Sequence, residues 1–250
     1  MVVRFVRVLT RVLKTEWAAD VLLRKHVDPV LRSRGFVRTS KVYRRYAPNG
    51  DAVVVEFQDS SSSTADEWIF YVNLALVPAP WLAWLQAPPG EARTGEPQAY
   101  DGVLSTRLSR PEAGPTIAPE LAMESLLQGR IPTGMSIDDP QRWTVDSLAS
   151  AHVAGAKVAE LLTGAIDGFT DLLDRAVFKD RLRGGLPLPG SGPRNSALVA
   201  LLVDEGPSPE LDDLFAGFSG RADEFVDWAR RYAFAAVTPT SRSTPPPAGS

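Results

Sequence analysis

The chain has 250 residues, 44% of them apolar, enough to bury a core in one large domain or in one domain with a small appendage. It has no cysteine, which excludes a disulfide framework, a CxxC zinc or redox site and a thiol nucleophile. The net charge of −3 conceals a split: residues 1–46 hold 12 basic and 3 acidic side chains, and the remainder 15 and 27.

Such a split fits an anionic partner, or a basic segment that folds back on acidic surface of its own domain; the second reading is preferred because the remainder supplies the compensating charge. The longest apolar stretch, residues 69–85, is broken by Asn73, Pro78 and Pro80 and falls short of the roughly 20 residues a membrane span requires. A cytoplasmic protein with no membrane span is expected. Arginine outnumbers lysine 22 to 5, a usage that fits a GC-rich bacterial genome.

Residues 1–15 place Arg4, Arg7, Arg11 and Lys14 at helical spacing with apolar residues between them, the pattern of a basic amphipathic helix. A core-packing helix is the first reading of this segment, a leader the second and a membrane anchor the third; an unbroken secretory core and a cleavage site are missing. From Thr15 to Arg34 the pattern stays helical, with Pro29 as a kink or at the first position of a second short helix capped by Asp28. Gly35 stands where a left-handed cap belongs and Phe36 follows it.

Strands are predicted over 36–46, 52–58 and 68–77, with PNGD (48–51) as a tight turn and the serine run 60–63 in a long, mobile hairpin tip. Pairing 57 with 70, 55 with 72 and 53 with 74 aligns Val53, Val55 and Phe57 with Phe70, Val72 and Leu74 on one apolar face. The opposite face is mixed: Glu56 opposes Tyr71, while Gln58 and Asn73 lie roughly 13 Å apart along the strands. Then come a short helix or turn over 78–85 with Trp81 and Trp84, a loop over 86–101, and a strand over 103–110 with Arg107 in its middle.

Residues 111–141 read as a Pro/Gly-rich excursion around a short helix, and 142–146 as a further strand. A long helix near 147–178, capped by Asp146 or Ser147, has an apolar stripe of period 3.6 from Val158 to Ala176. Residues 182–195 have linker composition and precede three helical segments. The expected architecture is α+β: an antiparallel sheet of about five strands packed by an N-terminal helix and the long helix. The domain boundaries are 1–181 for the α+β unit, 182–237 for a helical C-terminal extension and 238–250 for a disordered tail.

The runs in 22–77 carry a resemblance. A helix with Pro29, Leu31, Gly35 and Phe36, a strand with Tyr43 and Arg44, a strand ending in Phe57, Gln58 and Ser60, and a strand with Val72, Asn73 and Leu74 resemble the bacterial family of domains of unknown function numbered 4304. The likeness continues more loosely to about residue 176 through VLSTRLSR and RWTVD. It implies helices on an antiparallel sheet and brings no activity, cofactor or catalytic residue. In size and style the family resembles small bacterial proteins of conflict systems, such as toxin immunity modules.

Nucleophilic serine chemistry needs a base, yet His26 and His152 both fall in predicted helices and no GxSxG turn exists. HExxH, P-loop, GxGxxG and metal-spaced clusters are missing too, so neither a cofactor nor a metal is expected. The candidate binding face comprises Glu56, Gln58, Tyr71, Asn73, Arg107, Trp81 and Trp84. A non-catalytic protein-binding module is the leading expectation, because Trp and Tyr dominate interface hot spots. The alternative is a small-molecule site or an enzyme in which Glu56 acts as base and Arg107 as anion clamp. Nucleic-acid binding would rest on the basic N-terminus alone and is not expected; the sequence does not fix an oligomeric state.

Overall fold

The computed structural model describes residues 16–87, 95–111, 139–218 and 223–237, and the expectations for 1–15, for 112–138 and for the tail 238–250 lie outside them. Helix α1 covers 16–32, with a π-turn at Leu23–Val27 ahead of the α-turn Asp28–Arg32. The amide of Asp28 reaches back five residues to the Leu23 carbonyl. That widening precedes Pro29, whose ring would otherwise crowd the preceding turn. The helix ends at Gly35, φ +80°, with Gly35 N on Arg32 O and Phe36 N on Leu31 O, the paired bonds of a Schellman cap.

The predicted strand 36–46 is two strands, β1 (Val37–Thr39) and β2 (Val42–Tyr46), because Ser40 takes a left-handed conformation, φ 59°, and turns the chain back on itself. Strands β3 (Ala52–Asp59) and β4 (Trp68–Val77) follow, and the antiparallel order is β1-β2-β3-β4-β5. Strand β5 (Leu104–Arg107) and β6 (Trp143–Val145) both pair with β4, at opposite ends of it. Arg107 therefore ends its strand rather than standing mid-strand.

The β3–β4 register differs from the expected one by two residues: Phe57 pairs with Val72, Val55 with Leu74 and Glu56 with Asn73. An even shift leaves every side chain on its face, so the apolar pattern cannot distinguish the two registers. The serine tip decides. Ser60 N donates to Ile69 O, and Ser63 Oγ both donates to Ile69 O at 2.9 Å and accepts from Ile69 N at 3.0 Å. Thr64 Oγ1 accepts from the Asp66 and Glu67 amides. The run expected as a slack loop is a tip tied by its own hydroxyls.

One face of the sheet is largely apolar. Val53, Val55, Phe57, Phe70, Val72 and Leu74 pack against α1 and against α3 (Leu148–Asp171). Helix α3 is capped by Ser147 and buries Val158, Leu162, Ile166 and Phe169 at helical spacing. It stops short of the expected end near 178: Leu172–Asp174 break it, and the Asp174 carboxylate caps α4 (Arg175–Arg183).

The C-terminal helices α5 (Arg194–Leu202), α6 (Pro209–Ala216) and α7 (Asp223–Val237) extend the same apolar cluster and meet α2 (Ala79–Gln86). Asp51, buried in the PNGD turn, ties these layers together. It accepts Ala79 N at 2.8 Å and a two-pronged pair from Arg175, whose remaining Nη bonds Asp204 at 2.6 Å.

The linker-like segment before α5 is docked rather than free. Ser105 and Ser191 exchange backbone hydrogen bonds of 2.9 Å along the outer edge of β5. A Cβ on Gly192 would stand 1.9 Å from Val103 O, so glycine is what lets this chain approach. The edge that β5 would otherwise present is covered. Acidic groups from the rest of the chain meet the basic N-terminal portion, through Lys41–Asp59 at 2.6 Å, Arg44–Glu96 at 2.9 Å and Arg34–Asp167 at 3.2 Å. The fold-back reading of the charge split accounts for these residues.

Candidate functional site

Strand alternation sends Glu56, Gln58, Tyr71, Asn73 and Arg107 to the second face of the sheet. The register sets Glu56, Asn73 and Arg107 in one row across three strands, which puts the outer two Cα atoms about 10 Å apart at the usual strand spacing. Gln58 faces Tyr71 in the next row. Further along the same face, Ala52, Val54, Ala75 and Val77 are buried beneath Ala99 and Leu82. The second face is therefore closed and apolar at one end and polar at the other.

At the polar end the side chains bind one another. Arg107 Nε donates to Asn73 Oδ1 at 2.8 Å, and Asn73 Nδ2 donates to Gln58 Oε1 at 2.9 Å. The expectation that Gln58 and Asn73 are not neighbours is thus overturned by the two-residue register difference, and Glu56 opposes Asn73 rather than Tyr71. The Arg107 guanidinium carbon sits 4.4 Å from the Tyr71 ring centre, a cation–π contact. With Nε tied and the plane stacked, the guanidinium is fixed in direction. Its Nη groups have no hydrogen-bond partner among the described residues.

Glu56 accepts the Ala99 amide on Oε2 at 3.1 Å. No ion pair joins it to Arg107, so the two charges stand apart across an open cleft of about 410 Å³. The walls are Ala99 and Tyr100 of a 3₁₀ turn, Gln141 from the segment before β6, and Ser191 of the docked segment, with Ser105 and Thr106 along β5. That turn is held by Gln98 N on Asp101 Oδ2 and by Trp81 Nε1 on Asp101 O. Helix α2 thereby fixes one wall, and Tyr100 stands at the rim, 69% exposed.

Residues 27–133 match the model of a family described as a domain of unknown function (DUF4304). That segment is similar to the family. No curated protein and no solved structure matches the chain. The matched segment contains β1–β5 and the five polar residues Glu56, Gln58, Tyr71, Asn73 and Arg107, whereas Gln141 and Ser191 lie beyond it.

Trp81 and Trp84 are not brought to the cleft. Their rings lie 5.7 and 5.5 Å from Phe225, and Trp84 lies 5.7 Å from Trp228, so both are packed between α2 and α7. Both histidines are elsewhere too. His26 Nε2 and His152 Nδ1 are 2.9 Å apart between α1 and α3, and neither lines the cleft. Among the described residues no group of three His, Cys, Asp or Glu side chains is arranged to hold a metal ion. Chemically, the cleft offers one carboxylate, one oriented guanidinium and a set of amides and hydroxyls. Tyr100, Gln141 and Ser191 had no signal in the sequence, since loop residues reach a site only through the path of the chain.

Proposed function

We propose that the protein is a non-catalytic binding module that holds a small polar ligand with an anionic group in the cleft on the second face of its sheet. The observation that supports this reading is the chain Gln58–Asn73–Arg107, which fixes a guanidinium and leaves its Nη edge facing 410 Å³ of open space. An arginine oriented in this way is suited to a planar or tetrahedral anion, with which it makes paired charge-assisted bonds. The cleft lies within the usual size range of small-ligand sites. Trp81 and Trp84 pack against Phe225 and Trp228 and are partly buried, which weakens the protein-partner reading that rested on them.

Thermal-shift screening of the full chain and of Arg107→Gln against a library of small polar acids tests the reading. Acids that raise the midpoint of the native chain and leave the variant unmoved are the expected result. Equal shifts in both, or none in either, would overturn it. A protein partner is the second reading, favoured by Tyr100, an exposed aromatic side chain at the rim. A pull-down whose captured protein is lost on Tyr100→Ala and Glu56→Ala would support that alternative.

A further inference from the structure

The cleft pairs its guanidinium with an opposite charge at a distance, and that pairing specifies the ligand more narrowly than an anion. Glu56 has one oxygen on the Ala99 amide, while Oε1 has no hydrogen-bond partner among the described residues. Arg107 has its Nε on Asn73 and its Nη edge open. The two residues share one row of the sheet with a single strand between them, yet they do not neutralise each other. A simple dianion would meet Arg107 favourably and Glu56 unfavourably, since like charges close together in a partly enclosed site repel. A simple cation would meet the reverse.

We propose, resting on the reading of the cleft as a ligand site, that its ligand is a small zwitterion of amino-acid size, with the carboxylate on the Arg107 Nη edge and the ammonium on Glu56 Oε1. The outer Cα atoms of the row stand about 10 Å apart, and a hydrogen bond of about 2.8 Å at each end leaves room for the few ångströms between the ammonium and carboxylate of an α-amino acid. Between the charges the lining is neutral and polar. Ser105, Gln141 and Ser191 add neutral polar residues to the walls. Asn73 has both ends of its amide engaged by Gln58 and Arg107, so it orients the guanidinium and is a positioning residue.

The test uses the full chain and chemically matched probes: L-alanine, its N-acetyl form, its carboxamide and inorganic phosphate, each titrated calorimetrically. The free amino acid is expected to bind, and each blocked form to bind about ten- to a hundredfold more weakly, since each loses one charge-assisted contact. Glu56→Gln keeps an acceptor for the Ala99 amide and is expected to erase the preference for the free amine alone. Arg107→Gln is expected to erase the preference for the free carboxylate alone. Blocked forms that bind as well as the free amino acid, or phosphate that binds better, would overturn the proposal. If the free amino acid does not bind while other acids still shift the native chain and not Arg107→Gln, the zwitterion is wrong and the ligand site stands; if nothing binds at all, both fall.

Discussion

The two faces of this sheet are written by alternate residues of the same strands, and they differ in what they leave unfinished. On the helical face Val53, Val55, Phe57, Phe70, Val72 and Leu74 are all essentially inaccessible and belong to one apolar cluster. On the other face the pattern breaks midway along β3 and β4: Val54 and Ala75 are covered, and one step further Gln58, Asn73 and Arg107 bond one another beside open space, with Glu56 across it. Burial drives the first face with no preference of direction, whereas hydrogen bonds position the second. The first face therefore governs whether the chain folds, and the second what it binds. Substitutions should separate the two.

The largest effect is expected on the apolar face. Phe70 stacks on Trp68 at 4.0 Å and lies near Phe57 and Trp143. Phe70→Ala should cost about 3–5 kcal/mol in urea unfolding, the usual range for a truncated core aromatic. A loss under about 1 kcal/mol would mean that this face tolerates a cavity and that the contrast is wrong. Next comes the buried ion pair that fastens the C-terminal helices to the sheet. Arg175→Met leaves Asp51, 2% exposed, without its two-pronged partner and should cost about 3 kcal/mol. Hydrogen exchange should then quicken across α4 and α5 before it does in β3 and β4, because the pair links those layers.

What the sequence revealed follows the same division. Strands β3 and β4, the Gly35 cap and the Ser147 start of α3 were legible because each depends on local chemistry or on alternation. The residues Glu56, Gln58, Tyr71, Asn73 and Arg107 were legible as one face for that reason too. Their mutual bonds were not, since a two-residue shift of register preserves the face and changes every opposite neighbour. The break at Leu172–Asp174 was hidden because the apolar spacing runs on through it, and Asp174 acts as a cap only once the chain has turned. The destination of Trp81 and Trp84 depended on Phe225 and Trp228, which are more than 140 residues away along the chain.

On the polar face stability and binding should part. Asn73→Leu removes the acceptor of Arg107 Nε and the donor to Gln58, yet Gln58 is exposed and water can replace its partner. The stability change should stay within about 1.5 kcal/mol, the net worth of an ordinary hydrogen bond. Any acid held by the native cleft should bind at least about tenfold more weakly, because the guanidinium is no longer held in direction. Asn73→Asp gives the sharper version, since it keeps the acceptor for Arg107 and loses the donor to Gln58. Retained binding in that variant would locate the effect in the Arg107 contact. If both variants unfold as readily as Phe70→Ala, the polar face is a core element and the division between the faces fails.

The smallest effect belongs to the helical layer above the apolar face, where His26 and His152 meet at 2.9 Å. Burial, and then the neighbouring His152, hold the His26 imidazole below its ordinary value of 6.5. The folded state thus binds fewer protons at this residue than the unfolded chain does. Its contribution to stability is fully present above pH 6.5 and is lost as the pH falls from there through the depressed folded value. His26→Asn should flatten the unfolding midpoint against pH in that window and leave it unchanged at pH 8 apart from a constant offset. The contact joins the π-turn of α1 to α3 beside Gly155, where a Cβ would stand 2.7 Å from the His26 ring. Gly155→Ala should therefore push the rings apart and flatten the same pH slope with both histidines intact; a slope unaltered in both variants would place the titration elsewhere.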